Sequence, residues 1–141
     1  MRSGLFILLL IIGLGMQAQN QLKLVVTNIY PVKGEIFVAI YDDADNFLNI
    51  EFVAFKRIQA VKNETETILI PNMPMGEYAV SIFHDLNDNA ELDTKMFGIP
   101  REPYGFSNNA RGRMGPPKFE DAKFRLSGTL EITIEMANNG K

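Results

Sequence analysis

Short stretches of this chain repeatedly place an apolar residue at every second position, the pattern of a strand with one buried and one wet face. It is cleanest over residues 130–136, where Leu130, Ile132, Ile134 and Met136 alternate with Glu131, Thr133 and Glu135. Residues 22–27 set Leu22, Leu24 and Val26 against Lys23, Val25 and Thr27, and residues 77–84 set Tyr78, Val80 and Ile82 against Ala79, Ser81 and Phe83. Residues 35–41 are apolar on both faces, as a central strand is, and residues 52–61, 65–70 and 122–126 supply three further strands. Residues 47–51 suit a short helical turn, but no segment carries the spacing of a long amphipathic helix. The expected fold is all-β, a single Greek-key-type β-sandwich of about seven strands. Ser127 and Gly128 predict a hairpin turn between the last two strands.

One segment breaks the rhythm. The 37 residues between His84 and Ala122 hold neither period, and loops beyond about 12–15 residues are uncommon in compact domains unless functional or disordered. Met96, Phe97, Ile99, Tyr104, Phe106, Met114 and Phe119 give the segment apolar groups to pack, so an ordered loop folded back over the sandwich is expected.

Residues 1–18 read as a secretory signal peptide: Arg2, an apolar run from Leu5 to Leu14, and Ala18 before a polar stretch. Cleavage is expected after Ala18, although Met16 is bulkier than such sites favour, leaving residues 19–141 as one domain. The apolar run is half of the roughly 20 residues that cross a bilayer, so no transmembrane anchor is expected after cleavage. With no cysteine after the run, no lipid anchor is expected either. The expected location is the periplasm or cell surface of a Gram-negative bacterium. A net charge of −3 argues against nucleic acid as a partner. Without cysteine, the domain is held by burial or by a bound ion rather than by disulfides.

Two stretches resemble known proteins. NMPMGEYAVSIFHD is similar to the Pro-x-Gly-x-Tyr-x-Val pattern of transthyretin-like and collagen-binding B-type sandwiches, where a tight turn feeds a buried aromatic. FHDLNDNAELDTKMFGIPREPYGFSNNARGRMGPPKFEDAKF, with LKLVVTNI and GEIFVAIYD, resembles a bacterial family of exported proteins catalogued as the domain of unknown function DUF2141. That resemblance implies a signal peptide and a β-rich fold, and brings no activity, substrate or catalytic residue.

Two clusters in the long segment carry chemistry. Asp85, Asn87, Asn89, Glu91 and Asp93 fall at the first, third, fifth, seventh and ninth positions of a calcium-type loop, with Glu91 offering its backbone carbonyl. Ala90 stands where such loops place glycine, and Met96 where they place a bidentate Glu. The same residues equally suit a solvated turn, since Asn and Asp side chains bond nearby backbone. Calcium is thus the one cofactor these residues suggest, at the weak affinity of about 10⁻⁴ to 10⁻³ M seen in extracellular modules. The second cluster, Tyr104, Phe106, Asn108, Asn109, Arg111 and Arg113, joins aromatic faces, amides and guanidinium groups as sugar or anion sites do. Residues 98–118 carry +3 and residues 85–97 carry −3, so the alternative is that the basic half folds against the acidic half. His84, the sole histidine, adjoins Asp85, but Ser81 stands an odd number of positions away and faces the other side. No Gly-x-Ser-x-Gly or His-Glu-x-x-His motif occurs.

The leading expectation is a non-enzymatic module that binds an unidentified ligand or envelope component through residues 85–119. The rivals are a structural envelope protein with the loop as a lid, and a hydrolase using His84 and Asp85.

Overall fold

The computed structural model describes residues 20–137, and the expected signal peptide at 1–18 lies outside them. Two sheets face each other. The first has the order β4 (Glu66–Pro71), β1 (Gln21–Thr27), β8 (Thr129–Glu135), with β1 antiparallel to β4 and parallel to β8. The second runs β3 (Phe55–Ala60), β2 (Glu35–Tyr41), β5 (Gly76–Asp85), all antiparallel neighbours. Two three-residue strands share the free edge of β5: β7 (Phe124–Leu126) pairs with its first part and β6 (Tyr104–Phe106) with its later part.

The alternation fixes what lies between the sheets. Leu22, Leu24 and Val26 of β1, Ile68 and Ile70 of β4 and Ile134 of β8 meet Ile36, Val38 and Ile40 of β2 and Tyr78, Val80 and Ile82 of β5. At roughly 1.5–3 kcal/mol for each fully buried large aliphatic side chain, this layer is the main favourable term of folding. A second, smaller core covers the outer face of the second sheet. Tyr41 and Ala79 point outward and are sealed by Phe106, Phe119 and Ala122 of the long segment and by Phe47 and Leu48 of the β2–β3 connection. Phe47 touches Tyr41, Phe106 and Phe119 edge-on, with ring centroids 5.4–6.4 Å apart, the arrangement aromatic quadrupoles favour.

The fold is the expected all-β sandwich, with eight strands because β6 lies inside the long segment. Three local expectations need correction. The helical turn falls at Ile50–Phe52, where the Asn49 side chain accepts the Glu51 N–H at 3.1 Å, so the next strand starts at Phe55 rather than residue 52. Residues Phe119–Ala122 form one helical turn, α1, whose start is held by the Lys118 N–H on Asp121 Oδ2 (3.2 Å), which delays β7 to Phe124. Ser127 and Gly128 do not join a hairpin: β7 lies in the second sheet and β8 in the first, so this turn crosses between layers. Gly128 takes a φ of +81° there, and its N–H donates to Asn20 Oδ1 at 2.8 Å.

Candidate cation-binding loop

β5 ends by delivering two polar side chains to opposite faces of its sheet. His84 follows Tyr78, Val80 and Ile82 inward, is fully buried, and sets Nε2 2.6 Å from the Lys33 carbonyl oxygen. Asp85 points to the other face and is 1% exposed. Its Oδ2 accepts the Ala90 N–H at 2.9 Å, which turns the carboxyl group into the loop that follows. Its Oδ1 is buried and bonds to no protein group.

The loop from Asp85 to Asp93 is wound by its own side chains. Asn87 Oδ1 accepts the Asn89 N–H (3.4 Å) and Asn89 Oδ1 accepts the Glu91 N–H (3.0 Å), so each side chain turns onto the backbone two residues on. Asp93 closes the ring by accepting the side-chain amides of Asn87 and Asn89, the latter at 2.9 Å. Asp88 and Ala90 sit at φ of +57° and +60°. Ala90 therefore adopts the left-handed conformation for which calcium loops use glycine, at the modest steric cost of its Cβ.

Met96 does not close this loop. Residues 93–101 form a narrow hairpin, bridged between Thr94 and Pro100 and tied by the Arg101 N–H on the Asp93 carbonyl (2.7 Å). Met96 and Phe97 stand at its tip, 78% and 93% exposed. The hairpin instead returns Glu102 to the loop. Glu102 is 4% exposed; its Oε1 accepts the Leu86 N–H at 2.9 Å and its Oε2 the Asp93 N–H at 3.2 Å. Nothing in the sequence marks Glu102, because its partners lie nine and sixteen residues away and no local spacing relates them. Among the described residues no three His, Cys, Asp or Glu side chains stand close enough to form a metal centre alone. A cation at this loop would have to draw on amide and carbonyl oxygens as well, as hard cations commonly do.

The second cluster does not gather into one site. Phe106 is buried in the outer core and Tyr104 packs beside it, ring to ring at 5.8 Å. Asn108 donates from Nδ2 to the carbonyls of Asp121 (3.2 Å) and Lys123 (2.8 Å), and Asn109 Oδ1 accepts the Glu135 N–H (2.9 Å). Four of the six residues thus fasten the segment to the sandwich, while Arg111 and Arg113 are exposed. The two halves do meet, through the Arg101 N–H on the Asp93 carbonyl and through Glu102 on the N–H groups of Leu86 and Asp93, but not through their opposite charges. Among the described residues no ion pair joins them; the pairs are Lys23–Glu131, Lys123–Glu77 and Lys123–Glu120. An open depression of about 490 Å³, lined by Asp42, Phe55, Met75 and Tyr78 among others, lies at the start of β5, the opposite end from Asp85.

Residues 24–134 match the model of a protein family described as "Uncharacterized protein conserved in bacteria". No curated protein and no solved structure matches the chain.

Proposed function

We propose a function for a chain that belongs to this family, DUF2141: it is an exported, non-enzymatic β-sandwich module whose loop at 85–93 binds a hard divalent cation, with calcium the best fit. The observation that carries the reading is Asp85 Oδ1, a carboxyl oxygen buried in the loop without a protein partner. A buried polar atom left unpaired costs about 1–3 kcal/mol, more if charged, and a cation removes that cost. Export rests on the 1–18 pattern, and weak calcium affinity suits a compartment where the ion is abundant. Against a hydrolase, His84 and Asp85 leave β5 on opposite faces, and the imidazole is enclosed in the core. The structural reading suits the basic half, where Phe106, Phe119, Asn108 and Asn109 seal and pin the segment.

A thermal melt tests the reading. An ion that binds only the folded state, at tenfold excess over Kd, adds about 1.4 kcal/mol, a rise of a few degrees for a domain of this size. The mature chain melts higher in millimolar CaCl₂ than in chelator, and Asp85→Ala and Asp93→Ala lose the shift. No shift in the parent, or the same shift in both variants, overturns the assignment.

A further inference from the structure

Two loops root at the end of the sandwich where β5 finishes. The β1–β2 loop, residues 28–34, is held there by His84 Nε2 on the Lys33 carbonyl (2.6 Å) and by the close approach of Gly34 to the Asp85 carbonyl. The hairpin at 93–101 returns to the same place, since the His84 N–H donates to the Pro103 carbonyl at 2.8 Å. Each loop holds large apolar side chains in solvent. Tyr30 is 70% and Val32 44% exposed in the first, and Met96, Phe97 and Ile99 are 78%, 93% and 52% exposed in the second. Scattered exposed apolar residues are ordinary, whereas a group of them at one end of a domain marks a contact with a protein or a membrane. Phe97 also sits at a φ of +63°, a conformation bulky residues rarely take, above a turn closed by the Lys95 N–H on the Ile99 carbonyl (2.6 Å).

The charge around these side chains chooses between the two. Residues 28–34 and 94–101 carry Lys33, Lys95 and Arg101 and no acid. All three are exposed, and among the described residues none of them forms an ion pair. The acids of this end, Asp88, Glu91 and Asp93, belong to the loop that precedes the hairpin. Apolar and aromatic groups with basic side chains beside them suit a bilayer interface: rings rest at headgroup level, aliphatic groups reach the acyl boundary, and Lys and Arg keep their charges among the phosphates. From this pairing we infer that this end of the sandwich docks on a lipid surface bearing anionic headgroups, with Met96 and Phe97 inserted from the hairpin tip and Tyr30 resting among the headgroups. The docking needs no ion at the 85–93 loop, so it stands or falls separately from the cation reading.

Sedimentation of the mature chain with vesicles tests this, in chelator so that calcium plays no part. The parent is expected to bind vesicles of phosphatidylethanolamine and phosphatidylglycerol, to bind phosphatidylcholine vesicles more weakly, and to be released from the anionic ones by NaCl. Phe97→Ala weakens binding about 10-fold or more, the scale of withdrawing a buried aromatic side chain. Lys95→Gln and Arg101→Gln each weaken it about fivefold on anionic vesicles only, the scale of one basic group near such a surface. All three positions are exposed, and circular dichroism checks that each variant is folded. The chain has no tryptophan, so Phe97→Trp sets a single reporter at the tip, whose emission moves to the blue on anionic vesicles. A parent that stays in the supernatant with anionic vesicles overturns the docking. Binding that Phe97→Ala leaves unchanged, with the tryptophan emission unmoved, is adsorption by charge alone and overturns the insertion.

Discussion

Asp85 is constrained from two directions, and its neighbours show how single residues shape the loop. Gly34 faces its backbone: at a φ of +74°, a methyl group there collides with the Asp85 carbonyl oxygen. Gly34→Ala is expected to cost about 1–3 kcal/mol, the scale of a strained backbone site, read as a lower melting temperature; an unchanged melt contradicts the contact. Tyr78 and Tyr41 make a second residue-scale prediction. Burial pushes both phenols above their ordinary value of 10.0, and the negative charge of Asp42 adds to the rise at Tyr78. The fold therefore favours the neutral phenols, a contribution fully present below pH 10 and lost as pH rises through the folded-state values. Ultraviolet titration of the folded chain should show these two phenolates forming late, and ordinary titration of both contradicts their burial. At this scale the loop wound by Asp85, Asn87, Asn89 and Asp93 was legible, because their spacing is local. Ala90 stood out in the sequence as a departure, since composition does not reveal that an alanine has accepted a left-handed turn. Glu102 was invisible for the opposite reason: its meaning depends on a hairpin that brings it back.

Strands with their own alternation were legible to within a few residues, as β1, β2, β4, β5 and β8 show. The exceptions were too short or too contextual. β6 has three residues, and Gly105 at its centre is chosen by a neighbour: a Cβ there would lie 2.7 Å from Ile134 Cγ2 of β8. The turn at Ser127 and Gly128 has the length of a hairpin, and only the pairing partners of β7 and β8 decide that it changes sheet. Ser107, directly after β6, is the element's fastening. Its Oγ accepts the Val80 N–H at 2.9 Å and donates to the Ala122 carbonyl at 2.5 Å, joining β5, β6 and α1. Ser107→Ala leaves a buried N–H and carbonyl unpaired and is expected to destabilise by about 1–3 kcal/mol, with denaturant melts as the check; a cost near zero contradicts the role. The proposed cation at the 85–93 loop would steady the hairpin at 93–101, which begins at Asp93 and is tied back to it by the Arg101 N–H. Amide hydrogen exchange over 94–101 should slow in CaCl₂, and exchange unaffected by the ion contradicts that coupling.

The whole molecule divides its work between two cores. The inner one makes the sandwich, and the outer one, built by Phe47, Phe106 and Phe119 over Tyr41 and Ala79, fixes the second half of the long segment. Its first half is left to wind around buried carboxyl groups at the end of β5. Composition anticipated the division only in outline: an acidic stretch, a basic stretch and apolar residues scattered through both. Which of the two stretches packs was set by tertiary contacts of Asn108, Asn109 and Phe119. The proposed export is tested on the full chain: the intact mass of protein recovered from the cell envelope should correspond to a start at Gln19, whereas a full-length mass there contradicts cleavage. The central claim is that a cation neutralises the buried Asp85 carboxyl group of this loop, and the most direct measurement is a crystal structure of the mature chain grown in millimolar CaCl₂. An ion 2.3–2.6 Å from Asp85 Oδ1, with six to eight oxygen ligands, is the expected result. An ordered water bonded to Asp85 Oδ1 in its place contradicts that claim.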